Sequence, residues 1–450
     1  MTLTELPSNL SYLSFLASSG FSAMPSFDVH RARAQFPSLE SGFLFADNAG
    51  GSQIAQEVID RLTDYIINTN AQLGATYSLS RTSTQRVLVE APQEATKLFN
   101  AKSPNEIVFG SSSTLNLENL ARSLEKDIKA GDEFIITGEH EANVGPWKKL
   151  ASRTGAVIKY WKARPTEESN PYSIALKVED ALSLVSSRTR IIAFTACSNI
   201  LGSIVPVKDV VKALRAQVRE MGAPKVEISV DCVAYAPHRL IDVQDWDVNF
   251  AVLSYYKVYG PHISALYVRD TSLEQSVSSL VHHFIDVDAS PSYKLQPGGP
   301  GYELVYATTG VIQYLRSLTS ANDLKASFEA IAEHEQTLLK PLLDFLTAPA
   351  QWERGVRIVG QSTVDLSRVP TVSFVVVGPK ALRSRDIVKA FDEKETIGIR
   401  NGHVYAYTLL NDLDPRIDMD DGVVRISFVH YNTVNEVLRI VDVLKEVLSA

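Results

Sequence analysis

Short apolar runs alternate with amphipathic stretches between about residues 55 and 270. Runs rich in Val, Ile and Phe are typical of buried strands, and apolar positions that recur every three or four residues, clearest at 207–214, are typical of helices. The predicted strands are residues 107–109, 134–136, 157–161, 191–194, 226–231 and 248–253. This alternation predicts an α/β fold with a mainly parallel sheet that helices cover on both faces.

The pattern changes after a Pro/Gly-rich stretch at residues 296–301. A long helical pattern follows at 324–346. Two strand-like runs come next, at 371–377 and 423–429, and an amphipathic helical pattern follows at 434–448. This order predicts a smaller α+β domain. We therefore predict an N-terminal arm or disordered tail at 1–35, a large domain at 36–312 and a small C-terminal domain at 313–450.

Composition narrows the class of protein. The 450 residues are 45% hydrophobic and 21% charged, which is ordinary for a globular protein of two domains. The net charge of −8 and the absence of a long basic stretch argue against nucleic acid or an anionic membrane as a partner. No apolar run is long enough to span a bilayer and no secretory signal is evident, so we expect a cytoplasmic protein.

A lysine and an aspartate supply the first candidate chemistry. Lys257 follows the apolar run 248–253, where its ammonium must be solvated, paired or chemically used. Asp231 ends another apolar run upstream. A lysine that forms a Schiff base and an aspartate for the pyridinium nitrogen are the basic arrangement of an enzyme that uses pyridoxal 5'-phosphate, PLP. A strand-end lysine that extends to solvent is the alternative.

Hydroxyl groups follow the first predicted strand, in Gly110-Ser111-Ser112-Ser113-Thr114. A flexible glycine, several hydroxyls and a helix N-terminus together favour binding of a phosphate. An ordinary helix cap would need only one of these serines. Ser254 and Tyr256, just before the lysine, could add a hydroxyl and a phenol on the same side.

Four further polar residues are candidates for the site, and three of them lie at or within predicted strands. His140 could stack on a cofactor ring or move protons, and Asn199 could bind a phenolic oxygen or a carboxylate. Arg425 interrupts an apolar strand, and Arg400 is a second guanidinium that could bind a substrate carboxylate. A core histidine, a turn asparagine and structural ion pairs are the alternatives. The histidine spacing predicts no metal site.

Taken in order, these segments resemble the class V aminotransferase family of fold type I PLP enzymes, and within it the cysteine desulfurase-like branch. The resemblance implies that Lys257 binds PLP covalently, that Asp231 holds the pyridinium nitrogen and that His140 stacks on the ring. It also implies that Asn199 lies near the phenolic oxygen of PLP and that Arg425 binds the substrate α-carboxylate. The phosphate ligands that it implies are Ser113, Thr114, Ser254 and Tyr256.

The chain departs from the desulfurase pattern at two places. Ala234 stands where desulfurases have a glutamine that contacts the phenolic oxygen. Tyr405 stands where they have a mobile catalytic cysteine, and we predict that it lines the substrate site together with Arg400 and His403. The two cysteines, Cys197 and Cys232, follow predicted strands and are poorly placed to act as the missing nucleophile.

The segments 237–239, 254–257, 260–262 and 428–433 resemble a fungal branch of the family that acts in ustiloxin-type peptide biosynthesis. That resemblance implies chemistry at the β-carbon of a small L-amino acid, by β-decarboxylation or β-elimination through an enamine, with an aldehyde as a possible co-substrate. It also implies a homodimer in which the loop 298–300 approaches the neighbouring site. A class V aminotransferase, a desulfurase-like lyase that releases sulfide and a non-enzymatic α/β binding protein are the alternatives.

Overall fold

The computed structural model describes residues 27–285 and 290–449, so most of the predicted N-terminal arm lies outside the described residues. The strands in these ranges are β1 Leu44–Phe45, β2 Ile107–Gly110, β3 Glu133–Ile136, β4 Val157–Tyr160, β5 Arg164–Pro165, β6 Ile174–Ala175, β7 Thr189–Thr195, β8 Glu227–Asp231, β9 Phe250–Ser254, β10 Ser264–Val268, β11 Val356–Val359, β12 Thr371–Val376, β13 Ile397–Gly398, β14 Arg400–Gly402 and β15 Val423–Ser427. Each strand predicted from an apolar run is present, with ends that differ by a few residues.

The helices cover both sheets. They are α1 Val29–Arg33, α2 Gln56–Asn68, α3 Ser78–Gln85, α4 Ala91–Phe99, α5 Ser113–Leu124, α6 Gly145–Thr154, α7 Val178–Leu184, α8 Val207–Glu220, α9 Val243–Trp246, α10 Asp270–Gln275, α11 Tyr302–Ala307, α12 Thr309–Arg316, α13 Leu324–Leu346, α14 Pro349–Arg354, α15 Ser384–Asp392, α16 Tyr407–Asn411 and α17 Val434–Ser449. Short 3-10 turns occupy Pro37–Ser41, Pro104–Glu106, Glu125–Asp127, Glu141–Asn143, Tyr255–Lys257 and Pro291–Leu295, and Arg86–Glu90 is a π-helical turn.

The larger sheet has the strand order β2-β10-β9-β8-β7-β3-β4 within the described residues. The five strands β9, β8, β7, β3 and β4 are parallel to one another, and β10 is antiparallel to both β2 and β9. The mainly parallel α/β sheet predicted from the sequence is therefore confirmed. β10 is the exception, because it turns back directly after the loop that follows β9.

Both faces of this sheet are buried, which explains the nearly continuous apolar runs. Ile191 and Ala193 of β7 pack into a core under α5 and α6, whereas Ile192 and Phe194 pack into the opposite core with α8. Successive side chains of a strand point to opposite faces, so a strand buried on both sides needs an apolar residue at every position.

The smaller sheet has the order β11-β12-β15-β14. Leu338 and Leu342 of α13 and Ile440 of α17 pack against Val372 and Phe374 of β12. The helix α12 spans the position of the predicted boundary between 312 and 313, and that boundary remains a prediction.

The first described segment lies across the last part of the chain. The guanidinium of Arg33 donates to the backbone oxygen of Tyr431 at 2.6 Å and pairs with Glu436 at 3.0 Å. Strand β1 pairs in parallel with β13, so residues that follow β1 are held beside the smaller sheet. Among the described helices, none combines the length and the apolar character needed to cross a membrane.

Candidate active site

The carboxyl ends of β2, β3, β7, β8 and β9 meet at one edge of the larger sheet, where ligands bind in open α/β sheets. A pocket of about 280 Å³ lies at this edge. Its lining residues are Ser112, Ser113, Thr114, His140, Thr195, Cys197, Asn199, Asp231, Val233, Ala234, Tyr256, Lys257 and Tyr405. The structure thus brings together residues that the sequence places far apart.

Lys257 lies at the end of the 3-10 turn that follows β9, and its side chain is buried against the pocket. Burial, and after it the charge of the nearby Arg425, lowers the pKa of its ammonium to about 8, although Asp231 and Asp47 oppose the shift. Because burial disfavours the charged form, a large share of this amine is neutral near pH 8. A neutral amine can act as a nucleophile or as a general base.

Asp231 is the last residue of β8 and is buried in the same pocket. Its Oδ1 accepts the backbone N–H of Val233 at 2.9 Å. Burial raises the pKa of this carboxyl, and the Val233 N–H and Lys257 oppose the shift. A buried carboxylate is stable as an anion only beside a cationic or N–H donor, so the site favours a ligand with a protonated nitrogen.

His140 follows β3, and its Nδ1 accepts the backbone N–H of Ala142 at 3.1 Å. This contact assigns the ring proton to Nε2. Burial, with the charges of Lys257 and Arg425, lowers the pKa of His140 to about 3. The imidazole is therefore neutral over the physiological range and can lie against a flat ligand without adding positive charge.

The hydroxyl cluster contains both a helix cap and hydroxyl groups that line the pocket. Ser112 caps α5, since its Oγ accepts the backbone N–H of Leu115 at 3.1 Å. Ser113 and Thr114, in the first turn, line the pocket, and Ser254 Oγ donates to Ser113 Oγ at 3.1 Å. A Cβ on Gly110 would overlap Asn116 Oδ1, so glycine permits the tight entry into this helix. The helix N-terminus and its hydroxyls form a site suited to a phosphate.

Asn199 offers a different atom from the one the sequence suggested. Its Nδ2 donates to the backbone oxygen of Val404 at 3.0 Å, and its buried Oδ1 has no hydrogen-bond partner among the described residues. The free atom is thus an acceptor, which suits an N–H or O–H of a ligand rather than an unprotonated phenolic oxygen.

Two guanidinium groups share one carboxylate. Arg425 Nη2 pairs with Asp47 Oδ1 at 2.9 Å, and Arg400 Nε pairs with Asp47 Oδ2 at 2.8 Å. The Arg425 side chain is 1% exposed, against 45% for that of Arg400. Arg425 Nη1 also donates to the Asn199 backbone oxygen at 3.3 Å, and its buried Nε has no partner in the described part of the chain. One carboxylate leaves an excess of positive charge that a substrate carboxylate can neutralise.

The loop that carries Tyr405 borders the pocket. The Tyr405 side chain lines it, and its ring centroid lies 5.9 Å from that of His140 with 29° between the planes. His403 is outside the lining set, and its Nδ1 accepts the Tyr405 backbone N–H at 3.2 Å. Arg400 and Arg425 are also outside that set.

Comparison with known proteins places this chain in a family. The model of the family described as aminotransferase class V matches residues 44–440. The chain belongs to the class V aminotransferase family. It is 40% identical over 94% of its length to the aminotransferase-like protein FGM3 of Gibberella zeae, of which 99% is covered. It is also 29% identical to the cysteine desulfurase-like protein ustD of Aspergillus flavus, over 94% of this chain and 91% of that one.

The fold agrees with solved members of the desulfurase group. A cysteine desulfurase from Thermococcus onnurineus superposes with a TM-score of 0.80 at 22% identity, and the match covers 95% of this chain and 100% of the other. The fold type I architecture expected from the sequence is therefore confirmed. Members of this family use PLP, so the chain is a PLP-dependent enzyme.

The residues of the pocket fit PLP as a class V enzyme would hold it. A buried amine of lowered pKa, a buried carboxylate that needs a protonated nitrogen, and hydroxyls at a helix N-terminus match an aldehyde, a pyridinium and a phosphate. Lys257, Asp231, and Ser113 with Thr114 would hold these three groups. Ser254 would act through Ser113, since it contacts that hydroxyl and does not line the pocket.

Three acidic residues near the site had no role assigned from the sequence. Asp47 follows β1, and an aspartate at a strand end was the available signal. Glu139 is buried, and burial raises the pKa of its carboxyl to about 7. Glu141 contacts the Tyr405 loop. Glu139 and Glu141 flank His140, but the sequence does not show which atoms they contact.

Proposed function

We propose that this chain breaks a bond at the β-carbon of a small L-amino acid, by β-decarboxylation or by loss of another β-substituent. An aldehyde is the proposed co-substrate when the reaction forms a new carbon–carbon bond. The similarity to ustD supports a fungal relative of the desulfurase group. The absence of a reactive thiol supports a product other than a protein-bound persulfide.

The cysteines carry this argument. The chain has two, Cys197 and Cys232, and both are buried. Burial raises the pKa of Cys197 to about 12, and burial also raises the pKa of Cys232. A thiol that stays protonated is a poor nucleophile, and the loop beside the pocket presents Tyr405 instead. Sulfur transfer through an enzyme cysteine therefore lacks its nucleophile.

The residues of the pocket divide the remaining tasks. When bound, PLP supplies an electron sink for a carbanion at the α-carbon. Lys257 Nζ, at a pKa of about 8, takes the α-proton and can return it. Asp231 would hold a protonated ring nitrogen, and neutral His140 would contact the ring of the cofactor. Arg425, held by Asp47, binds the α-carboxylate.

Product analysis of the PLP-loaded protein tests the proposal. L-Aspartate that loses its β-carboxylate as CO2 and gains a proton at the β-carbon gives alanine. L-Aspartate with an aldehyde would give a longer hydroxy amino acid and CO2. We expect mass spectrometry to detect one of these products with wild-type protein and none with Lys257→Ala. Lys208→Ala, which changes an exposed lysine paired with Asp245, is the matched control and should retain activity.

The same assay distinguishes the alternatives. Pyridoxamine phosphate together with a requirement for a keto acid would indicate an aminotransferase, and sulfide from L-cysteine would indicate a desulfurase-like lyase. Full activity of Lys257→Ala would contradict the proposed mechanism. We also propose a homodimer in the cytoplasm, on the family resemblance; light scattering of the purified protein would test the dimer.

A further inference from the structure

The loop that carries Tyr405 is fastened to the segment that carries His140. Glu141 Oε1 accepts hydrogen bonds from Thr408 N at 2.9 Å and from Thr408 Oγ1 at 2.7 Å. The backbone N–H of Glu141 donates to the Tyr405 oxygen at 2.8 Å, and that of Leu409 donates to the Gly138 oxygen at 3.0 Å. These four hydrogen bonds join residues 138–141 to residues 405–409, and the carboxylate of Glu141 accepts two of them.

The loop needs such contacts because its backbone is strained. Val404 and Tyr405 have φ values of +46° and +61°, in the left-handed region that favours glycine. The β-branched Val404 is especially disfavoured there. Consecutive residues persist in this region only where surrounding contacts outweigh the strain. Asn199, which donates to the Val404 oxygen at 3.0 Å, supplies one such contact, and Glu141 supplies three more through its carboxylate and its backbone N–H.

The two segments approach each other closely. A Cβ on Gly138 would lie 2.8 Å from Cγ2 of Thr408, so only glycine leaves room for this threonine. Thr408 thereby reaches the Glu141 carboxylate, which is half-buried. The hydrogen bonds between Thr408 and Glu141 are therefore partly shielded from solvent.

The strained loop places an aromatic ring at the mouth of the pocket. The Tyr405 side chain lines the pocket yet is 66% exposed. Its ring lies against His140, at 5.9 Å between centroids. A ligand in the pocket therefore has this ring as one of its walls, whereas Glu141 itself is not among the lining residues.

We propose that Glu141 is a positioning residue that holds Tyr405 at the pocket mouth, and that Tyr405 sets the affinity for the amino-acid substrate. The statement about affinity rests on the proposed function, whereas the statement about the loop does not. Glu141 acts through the Thr408 hydrogen bonds, because its carboxylate touches neither the cofactor pocket nor its lysine.

Hydrogen exchange of the PLP-loaded protein without substrate tests the positioning role. In Glu141→Ala, the backbone N–H groups of residues 404–410 should exchange about tenfold faster, the change expected for loss of a hydrogen bond to a charged acceptor. Glu141→Gln keeps an acceptor oxygen without the charge, and these N–H groups should exchange more slowly in it than in Glu141→Ala. Glu393→Ala, which removes an exposed carboxylate, is the matched control. Unchanged exchange in Glu141→Ala would overturn the proposal.

A double-mutant cycle tests the link to affinity. L-Aspartate is titrated into each variant and its apparent Kd is measured from the visible spectrum of bound PLP. Glu141→Ala and Tyr405→Ala should each raise this Kd about tenfold, and the double variant should equal Tyr405→Ala alone because both changes remove one feature. Additive effects would contradict action through Tyr405. No spectral response of wild type would count against the proposed function, and hydrogen exchange would still decide the role of Glu141.

Discussion

The carboxylate shared by Arg425 and Arg400 gives a prediction about stability. Asp47→Asn removes the charge but keeps the shape, so the buried Arg425 loses its counterion. A pair about 4 Å apart near a protein surface is worth about 4 kcal/mol. The Asp47 side chain is 26% exposed. Discounting for that exposure, we expect a loss of about 2–3 kcal/mol in the free energy of unfolding. Arg400→Met breaks the half-exposed pair with the same carboxylate and should cost at most about 1 kcal/mol.

Urea denaturation of the cofactor-free protein measures the difference. The first unfolding transition should shift to lower urea for Asp47→Asn, while Arg400→Met should stay close to wild type. An acetate titration adds a second readout, because a small carboxylate can take the place of the missing counterion and restore part of the stability of Asp47→Asn. Equal losses in the two variants would refute the reasoning, since only Asp47→Asn leaves the buried guanidinium of Arg425 without its counterion.

Two further predictions concern titration. Burial lowers the pKa of His140 to about 3 and that of His430 well below its usual value, so both are neutral in the folded chain. Their contribution to the free energy of unfolding is complete above about pH 6.5 and is lost as pH falls, because the histidines of the unfolded chain take up protons first. The loss is at most about 1.4 kcal/mol per histidine for each pH unit. Urea midpoints measured at pH 7 and at pH 5.5 check this prediction. Cys197, with its pKa raised to about 12, should resist iodoacetamide at pH 8 in the folded protein and react after unfolding; rapid labelling of the native protein would contradict its burial.

Apolar periodicity and capping residues in the sequence predict those helices and strands whose ends depend on neighbouring residues. The helix expected at residues 324–346 has those bounds, since Asp323 caps it by accepting the Ala326 N–H at 3.0 Å. The strand β7 extends the predicted run 191–194 at both ends, because Thr189 and Thr195 are also buried although they are polar. Apolar periodicity reports burial, so it misses polar residues that the sheet buries.

The pocket is predicted only in part. Lys257, Asp231 and His140 each follow an apolar strand, and parallel strands bring such ends together. The pairing of Asp47 with Arg425 spans 378 residues and leaves no local pattern. The conformation of Val404 and Tyr405 is also absent from local propensity, because β-branched and bulky residues rarely adopt positive φ unless surrounding contacts impose it.

The groups proposed to hold the cofactor and those proposed to bind the substrate carboxylate come from different parts of the chain. Residues 110–257 contain the groups proposed to hold the cofactor, whereas Asp47, beside β1, meets Arg425 near the end of the chain. During synthesis, the ion pair between Asp47 and Arg425 can therefore form only after the ribosome has released residue 425. In evolution, substitutions at Asp47, Tyr405 or Arg400 can change the end proposed to bind the substrate, while the residues proposed to hold the cofactor keep their geometry. A lineage with this architecture can acquire a new reaction without losing its cofactor.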